Sequence, residues 1–567
     1  MYRLICKDRH YNDFVFIQPE SHDIYETTIF ENPYENKLLH NDIVDKEGNI
    51  KYSTTRSAPY IPGVIKVDKK FGKVKDKYYY HFVPDDKRLP YFMILYKDKQ
   101  EYHFQKDKSS IFAIVRFKHW KKKHPECEMI QCIGPVHKNE NVYEYLLYCK
   151  YLYSSIKTLH DHTKKSIKHR SVDYMVDDIM NTYTIEDRRH PKYKIYTIDP
   201  EESKDFDDAY GIRKINEGKQ TIISIYISNV TVWLDYLDLW SSFSKRVSTI
   251  YLPDRRIPML PTILSEDLCS LVEKQARFAL ALDITIDTES GEIIHEEFKN
   301  VCIKVKKNIR YDDTNYKENT HYKTMFHYIT LWNNTTKYLK DIQDSHDLIA
   351  YIMILYNNRM ARILKKNKVG IFKKMKLNPL DLDALKSNID EKLYRFLCMW
   401  NSTASTYVFY KDFDTHDLIP TDAYAHVSSP IRRLVDLLNM LYFEIYIEKW
   451  KYQHPIQLHA FMDEWLKDTS LEYINDCMHK IKKIQTECTL LSLLHTRNAS
   501  VIEKGYCIEY NEEQKNYTVY IPSLKVIKKM KCRESIPLYQ KRTFHIYLFE
   551  KKDIRQKVKI ELHSSQI

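Results

Sequence analysis

The segment Tyr196-Thr197-Ile198-Asp199-Pro200-Glu201-Glu202-Ser203-Lys204-Asp205-Phe206-Asp207-Asp208-Ala209 decides how the chain is read. Counted from Asp199, aspartates stand at 0, +6, +8 and +9. They follow an alternating run, Tyr193, Ile195 and Thr197 against Lys194, Tyr196 and Ile198, that predicts a strand ending in a proline turn. A loop folding back after that strand brings the carboxylates together. Two carboxylates about 4 Å apart repel by roughly 4 kcal/mol at an effective dielectric of 20, so a convergent cluster takes up protons or a divalent cation. A hard, oxygen-seeking ion such as Mg2+ is the natural guest. Acidic runs after strands are also commonly solvated loops, so convergence is what the structure must decide. A calcium loop fits poorly, because position 12 counted from Asp205 is Asn216 and not a bidentate glutamate.

A chain of 567 residues is too long for one core and implies several domains. The formal charge is +12, with basic runs at 118–123, 164–170, 525–533 and 551–559. Together with 13% aromatic residues they suit a polyanion that carries bases as well as phosphates, so nucleic acid is the first partner to consider. Eleven scattered cysteines contain no CxxC pair and no zinc-finger set, and read as reduced thiols of a cytoplasmic or nuclear protein. The first residues lack the apolar core of a signal peptide, and the most apolar helical stretch, 434–447, is interrupted by Asp436 and Glu444. The expectation is an intracellular monomer with no membrane partner. Only 9 glycines are present, so tight turns must lean on Asn and Asp.

Short apolar runs such as Phe14-Val15-Phe16-Ile17 punctuate the first 57 residues. A second strand-rich block follows, with Pro62-Gly63-Val64-Ile65-Lys66-Val67, Tyr78-Tyr79-Tyr80-His81-Phe82-Val83-Pro84 and residues 111–117. This spacing predicts two small β-barrels, which serve either as single-strand binders or as structural modules. Residues 141–161 turn helical, 221–228 read as a strand, and Tyr251-Leu252-Pro253-Asp254-Arg255-Arg256-Ile257-Pro258-Met259-Leu260-Pro261 forms a rigid, helix-forbidding segment. From there to about residue 490 helices are expected to dominate, including 347–366 and 431–450. Residues 491–567 return to short strands, predicting a third barrel.

The second informative stretch is His426-Val427-Ser428-Ser429-Pro430-Ile431-Arg432-Arg433-Leu434. Ser429 reads as an N-cap, Pro430 as the first helical residue, and Leu434, Leu437, Leu438 and Leu441 as an apolar stripe. Arg432 and Arg433 would then crowd the first turn, where the helix dipole disfavours cations unless an anion such as phosphate binds. The competing reading is an arginine pair held by neighbouring acids such as Asp436.

These motifs, with Leu264-Ser265 and Leu268-Cys269-Ser270-Leu271 between them, together resemble the catalytic domain of the RNase II/RNase R (RNB) exoribonucleases. Phe82-Val83-Pro84-Asp85-Asp86-Lys87-Arg88-Leu89-Pro90 and Cys132-Ile133-Gly134 are similar to the second cold-shock barrel of the eukaryotic branch, which includes the exosome's catalytic subunit. The resemblance implies a multidomain α+β chain: cold-shock-like OB barrels at 1–57 and 58–150, the RNB domain at 151–490, and an S1-like OB barrel at 491–567. It leaves no room for an N-terminal endonuclease domain. It also implies processive 3′ to 5′ hydrolysis of single-stranded RNA to nucleoside 5′-monophosphates with one or two Mg2+ ions. By motif position, Asp199 and Asp208 hold metal directly. Asp205 and Asp207 complete the site and help order the attacking water. Arg432 steadies charge on the scissile phosphate, Arg433 joins it in binding RNA, Tyr311 stacks on the terminal base, and Tyr251 lies near the 3′ end. The chain departs from the family pattern at Ala350-Tyr351-Ile352-Met353, where two glutamates usually precede the methionine, and at Tyr226-Ile227-Ser228-Asn229-Val230, where His-Ile-Ala-Asp-Val is usual. The first removes a carboxylate expected at the terminal nucleotide, and the second is read as packing. The alternatives are an RNB-fold RNA binder with weak or no catalysis and a metal-dependent DNA exonuclease.

Overall fold

The computed structural model describes residues 1–19, 24–25, 32–97, 110–377, 389–417, 419–497, 499–532, 534–549 and 557–563. Arg533 and residues 551–556 of the basic runs lie outside this set. The chain divides into two compact units, one of residues 1–153, 252–254 and 482–567, the other of 154–251 and 255–481.

In the first unit three β-sheets share one strand order. In the N-terminal sheet Tyr2–Cys6 is central, with Phe14–Ile17 and then Ile24–Tyr25 on one side, and Asp42–Val44 and then Ile50–Ser53 on the other. The C-terminal sheet repeats this around Ser500–Asn511. The middle sheet closes into a ring: Ile61–Lys66 pairs with Lys77–Pro84 and Ile111–His119, and these lead on to Phe92–Tyr96 and Glu126–Pro135. Parallel pairing of those last two, Met93 opposite Glu126 and Ile94 opposite Cys127, completes it. First strand beside second and fourth is common to all three, and the middle sheet adds third beside fifth, the closed five-stranded OB arrangement. Alternate residues Tyr80 and Phe82, Phe92 and Ile94, and Ile111, Ala113 and Val115 fill the ring. Gly63 is required there, since a Cβ would meet the Phe82 ring at 2.3 Å and the Val83 carbonyl at 2.5 Å.

The second unit is built on a seven-stranded sheet. Its inner strand Gln220–Ser228 is buried from Thr221 onward and runs antiparallel to Asp208–Ile215 and Ala276–Asp287. One face, with Ile223, Ile225, Ile227, Leu280, Leu282 and Ile284, packs under the helices Thr320–Thr336 and Ser345–Lys366. Tyr226, Ala279, Ala281, Val301 and Ile303 occupy the other. Because both faces are covered, these strands read as nearly continuous apolar runs without alternation.

That explains one correction. Helices were expected to dominate after residue 261, yet Ala276–Asp287 and Ile293–Lys304 are twelve-residue strands. The alanine-rich run Ala279-Leu280-Ala281-Leu282 has helical propensity, and pairing on both edges overrides it. Among the described residues no helix is long and apolar enough to cross a membrane.

Candidate functional site

Adjacent strand ends create the site. Ile195–Asp199 pairs antiparallel with Asp208–Ile215, Ile195 opposite Gly211 and Tyr196 opposite Tyr210, so Asp199 and Asp208 finish at the same end of the sheet. The intervening loop turns at Pro200, whose carbonyl accepts from Ser203 N at 3.1 Å. Ser270 pins it further on: its hydroxyl accepts from Phe206 N and donates to the Lys204 carbonyl, both at 2.9 Å, while Leu271 N donates to Phe206 O at 3.0 Å. Ser228 N donates to Asp207 O at 2.8 Å, which fixes the last turn of the loop. These contacts bring the carboxylates within reach of one another's charge, Asp199 feeling Asp207 and Asp205, and Asp208 feeling Asp199.

Asp207 is buried and saturated: Oδ1 accepts from Ile431 N at 3.0 Å and Oδ2 from Arg432 Nε at 2.8 Å. Asp205 is paired with Arg256, whose other terminal nitrogen reaches Glu266. Asp199 and Asp208 form no ion pair among the described residues, and Asp199 Oδ2 is buried without a hydrogen-bond partner. Burial is the main cause that pushes Asp199 up to about 7, with the charges of Asp207 and Asp205 adding to it. Burial likewise raises Asp207 to about 7 against the pull of Arg432, and raises Asp208 to about 8 with the help of Asp199. The repulsion anticipated from the sequence is thus relieved in two ways, by arginines at Asp205 and Asp207 and by proton affinity at Asp199 and Asp208.

Among the described residues no group of three or more His, Cys, Asp or Glu side chains is gathered as an ion cage. The fit to a divalent ion rests on Asp199 and Asp208, whose oxygen-only donor set and orphaned Asp199 Oδ2 are the chemistry a hard cation seeks. Guanidinium groups serve the other two aspartates, Arg256 at Asp205 and Arg432 at Asp207.

The arginine stretch departs from its expected form. The helix runs from Leu434 to Tyr442, not from Ser429, and Arg433 is its extended N-cap residue at φ −139° and ψ 125°. Helix cannot begin earlier, because Ile431 N is bound to Asp207, Ser429 N to Asp436 Oδ1 at 2.7 Å, and Arg433 bridges to Ser248. Asn357 holds the approach to this turn, accepting from Val427 N at 2.8 Å and Ser428 N at 3.1 Å. Arg432 also donates to Ser429 Oγ at 2.8 Å, and its side chain keeps 40% exposure. Arg433 instead turns to Asp436 at 2.9 Å and lies near His426. The competing reading, an arginine held by Asp436, describes Arg433, while Arg432 stays in the carboxylate nest.

Tyr311 donates its backbone N–H to Asp199 O at 3.1 Å and stacks on His346 with ring centroids 3.7 Å apart. Tyr251 presents an exposed ring and pairs across a short hairpin with Arg256. Tyr351 is buried in the core, its hydroxyl 3.0 Å from that of Thr336, so it replaces a glutamate with packing. Asn229 caps the helix Val230–Tyr236 through Oδ1, as an aspartate could, and donates from Nδ2 to Glu444 Oε1 at 2.7 Å, which an ionised aspartate could not. Sequence reasoning gave no role to Arg256, Glu266 or His346. A pair of arginines, Arg255 and Arg256, inside the proline-pinned segment was the available signal for Arg256.

Residues 187–331 match the family description of the RNB domain. That segment of the chain is an RNB-type domain. Residues 79–149 match the Dis3-like cold-shock domain 2. Ribonuclease R of Thermotoga maritima is 35% identical to this chain over 122 residues, 21% of its length and only 17% of the relative's. Mycoplasma genitalium RNase R, solved in complex with ribose methylated single-stranded RNA, shares the fold at TM-score 0.72 and 16% identity, over 99% of this chain and 100% of that one. Yeast Ssd1, a pseudonuclease, shares it at TM-score 0.60 and 13% identity, over 84% and 65%.

Proposed function

We propose that the chain is a Mg2+-dependent exoribonuclease that hydrolyses single-stranded RNA processively from the 3′ end to nucleoside 5′-monophosphates. The observation that carries this reading is the partly exposed Arg432, tethered by Asp207 inside a nest of four carboxylates. Asp199 and Asp208 would hold the ion, and Asp205 and Asp207 would complete the site. A bound Mg2+ supplies charge neutralisation at the phosphodiester and lowers the pKa of a water in contact with it. Asp207 fixes the Arg432 guanidinium through Nε, leaving it to meet charge growing on the scissile phosphate. Tyr311, braced by His346, offers a ring to the terminal base, and Tyr251 a second ring near the 3′ end; stacking tolerates any sequence. Arg433, held by Asp436, would add a second cation for binding RNA. Residues 1–57, 58–150 and 491–567 would hold single-stranded RNA, and 151–490 would cut it.

A second reading, an RNA binder without catalysis, draws support from the arginine pairing of Asp205 and Asp207 and from Tyr351 standing in the core. A time course with 5′-labelled RNA in Mg2+ separates the two. The nuclease shortens the strand from the 3′ end and releases mononucleotides, leaving a DNA strand of the same sequence intact. A gel shift with undegraded RNA establishes the binder, and equal loss of both strands establishes a DNA and RNA exonuclease.

A further inference from the structure

Arg256 is the least anticipated group at the site. It lies in the short hairpin formed by Ile250–Tyr251 and Arg256–Ile257, between two of the prolines that stiffen this segment. One terminal guanidinium nitrogen is bound to Asp205 and the other to Glu266, on the turn Ile263–Leu268 that follows the hairpin. Its side chain is mostly buried, and so is that of Asp205. A guanidinium held by two carboxylates on a proline-braced scaffold is a fixed positive charge, because moving it strands both acids.

That charge alters the inventory of the nest. Two divalent ions about 4 Å apart, clamping the attacking and leaving oxygens, need carboxylate oxygens enough for both. Here Asp207 accepts at both oxygens, from Ile431 N and Arg432, and Asp205 is tied through Oδ1 to Arg256. Asp199, with its orphaned buried oxygen, and Asp208 remain for metal. We propose that Arg256 is a positioning residue that serves Asp205 as its permanent cation, so that the nest accepts one divalent ion and not two. Glu266 keeps Arg256 in place by balancing its second nitrogen. A second ion would have to share Asp205 with a guanidinium and sit beside two arginine charges, which like-charge repulsion opposes. This inference builds on the metal reading of the nest under the proposed function, and its test does not depend on cleavage.

Mn2+ binding to the metal-free full chain, counted by electron paramagnetic resonance and by calorimetry, tests it. The wild-type chain is expected to bind one Mn2+. Arg256→Gln releases Asp205 and is expected to bind two, and Arg256→Gln combined with Asp205→Asn returns to one. Glu266→Gln, which leaves the guanidinium in place, provides a milder variant: weaker anchoring of Arg256 is expected to admit a second, several-fold weaker Mn2+. Two ions of similar affinity in the wild type, or one ion in both single variants when each is folded, overturns the proposal. One bound ion in a chain that fails to degrade RNA sinks the nuclease reading and leaves this inference standing; no bound ion overturns both.

Discussion

Two aspartate–arginine pairs in the second unit look alike and behave in opposite ways. Asp283 and Arg188 are joined across the intervening strand Ile293–Lys304 by paired hydrogen bonds of 2.8 and 2.6 Å, and Asp207 and Arg432 are joined at 2.8 Å. Arg188 is 1% exposed and also binds Glu186, so four hydrogen bonds from its guanidinium go to two carboxylates. Arg432 keeps 40% exposure. Burial works to raise Asp283, but hydrogen bonds from Arg188 and Ser224 outweigh it and hold the carboxyl below its ordinary value. Burial raises Asp207 to about 7 in spite of Arg432, because Asp205 stands beside it and opposes ionisation. The same pair of residue types is a structural fastening where the guanidinium is sealed between two carboxylates, and a candidate site where it stays open to solvent.

Several outcomes would break or sharpen this contrast. Asp207→Asn is expected to abolish cleavage while RNA binding, followed by gel shift, survives. Its counterpart, Arg188→Met, strands a buried carboxylate and is expected to lower unfolding stability by about 3–5 kcal/mol in urea titrations. Arg432→Lys loses the planar fork and should reduce single-turnover cleavage about 10²- to 10³-fold with little change in stability. Tyr311→Ala should weaken binding of a short 3′-terminal oligonucleotide by roughly 1–3 kcal/mol, measured by fluorescence anisotropy.

The pH dependence has a definite sign. Asp199, Asp207 and Asp208 sit at about 7, 7 and 8 in the folded chain, above the ordinary 3.8. A raised folded value means the folded state holds protons more tightly than the unfolded one. Its stabilising contribution is complete below about pH 4 and is lost as pH climbs through 7 to 8. Metal-free Tm should therefore fall from pH 6 to pH 9, and the increment added by Mg2+ should grow over the same interval as protons leave its ligands. Thermal unfolding in EDTA and in Mg2+ reads both; an increment that shrinks with rising pH contradicts the site.

Much of this was legible in the sequence because it is local. The strand before Asp199, the four aspartates and the arginine after Ser429-Pro430 lie within short windows, and one strand pairing brings the first group together. What escaped was set by distant partners. Ala276–Asp287 is a strand because neighbours cover both faces and both edges, which no window of its own residues displays. The helix expected at Ser429 starts at Leu434 because Asp207, over 200 residues earlier, takes the Ile431 N–H. Arg256 reads as one more surface charge until Asp205 and Glu266 are found on either side of it.

The central claim is that this nest directs water onto the terminal phosphodiester of an RNA strand. Degradation of single-stranded RNA in water enriched in oxygen-18, followed by mass spectrometry of the mononucleotides, tests it directly. The account predicts nucleoside 5′-monophosphates carrying one heavy oxygen on the phosphate, and none from Asp207→Asn. Unlabelled products, or no mononucleotides from the folded wild-type chain, would contradict it.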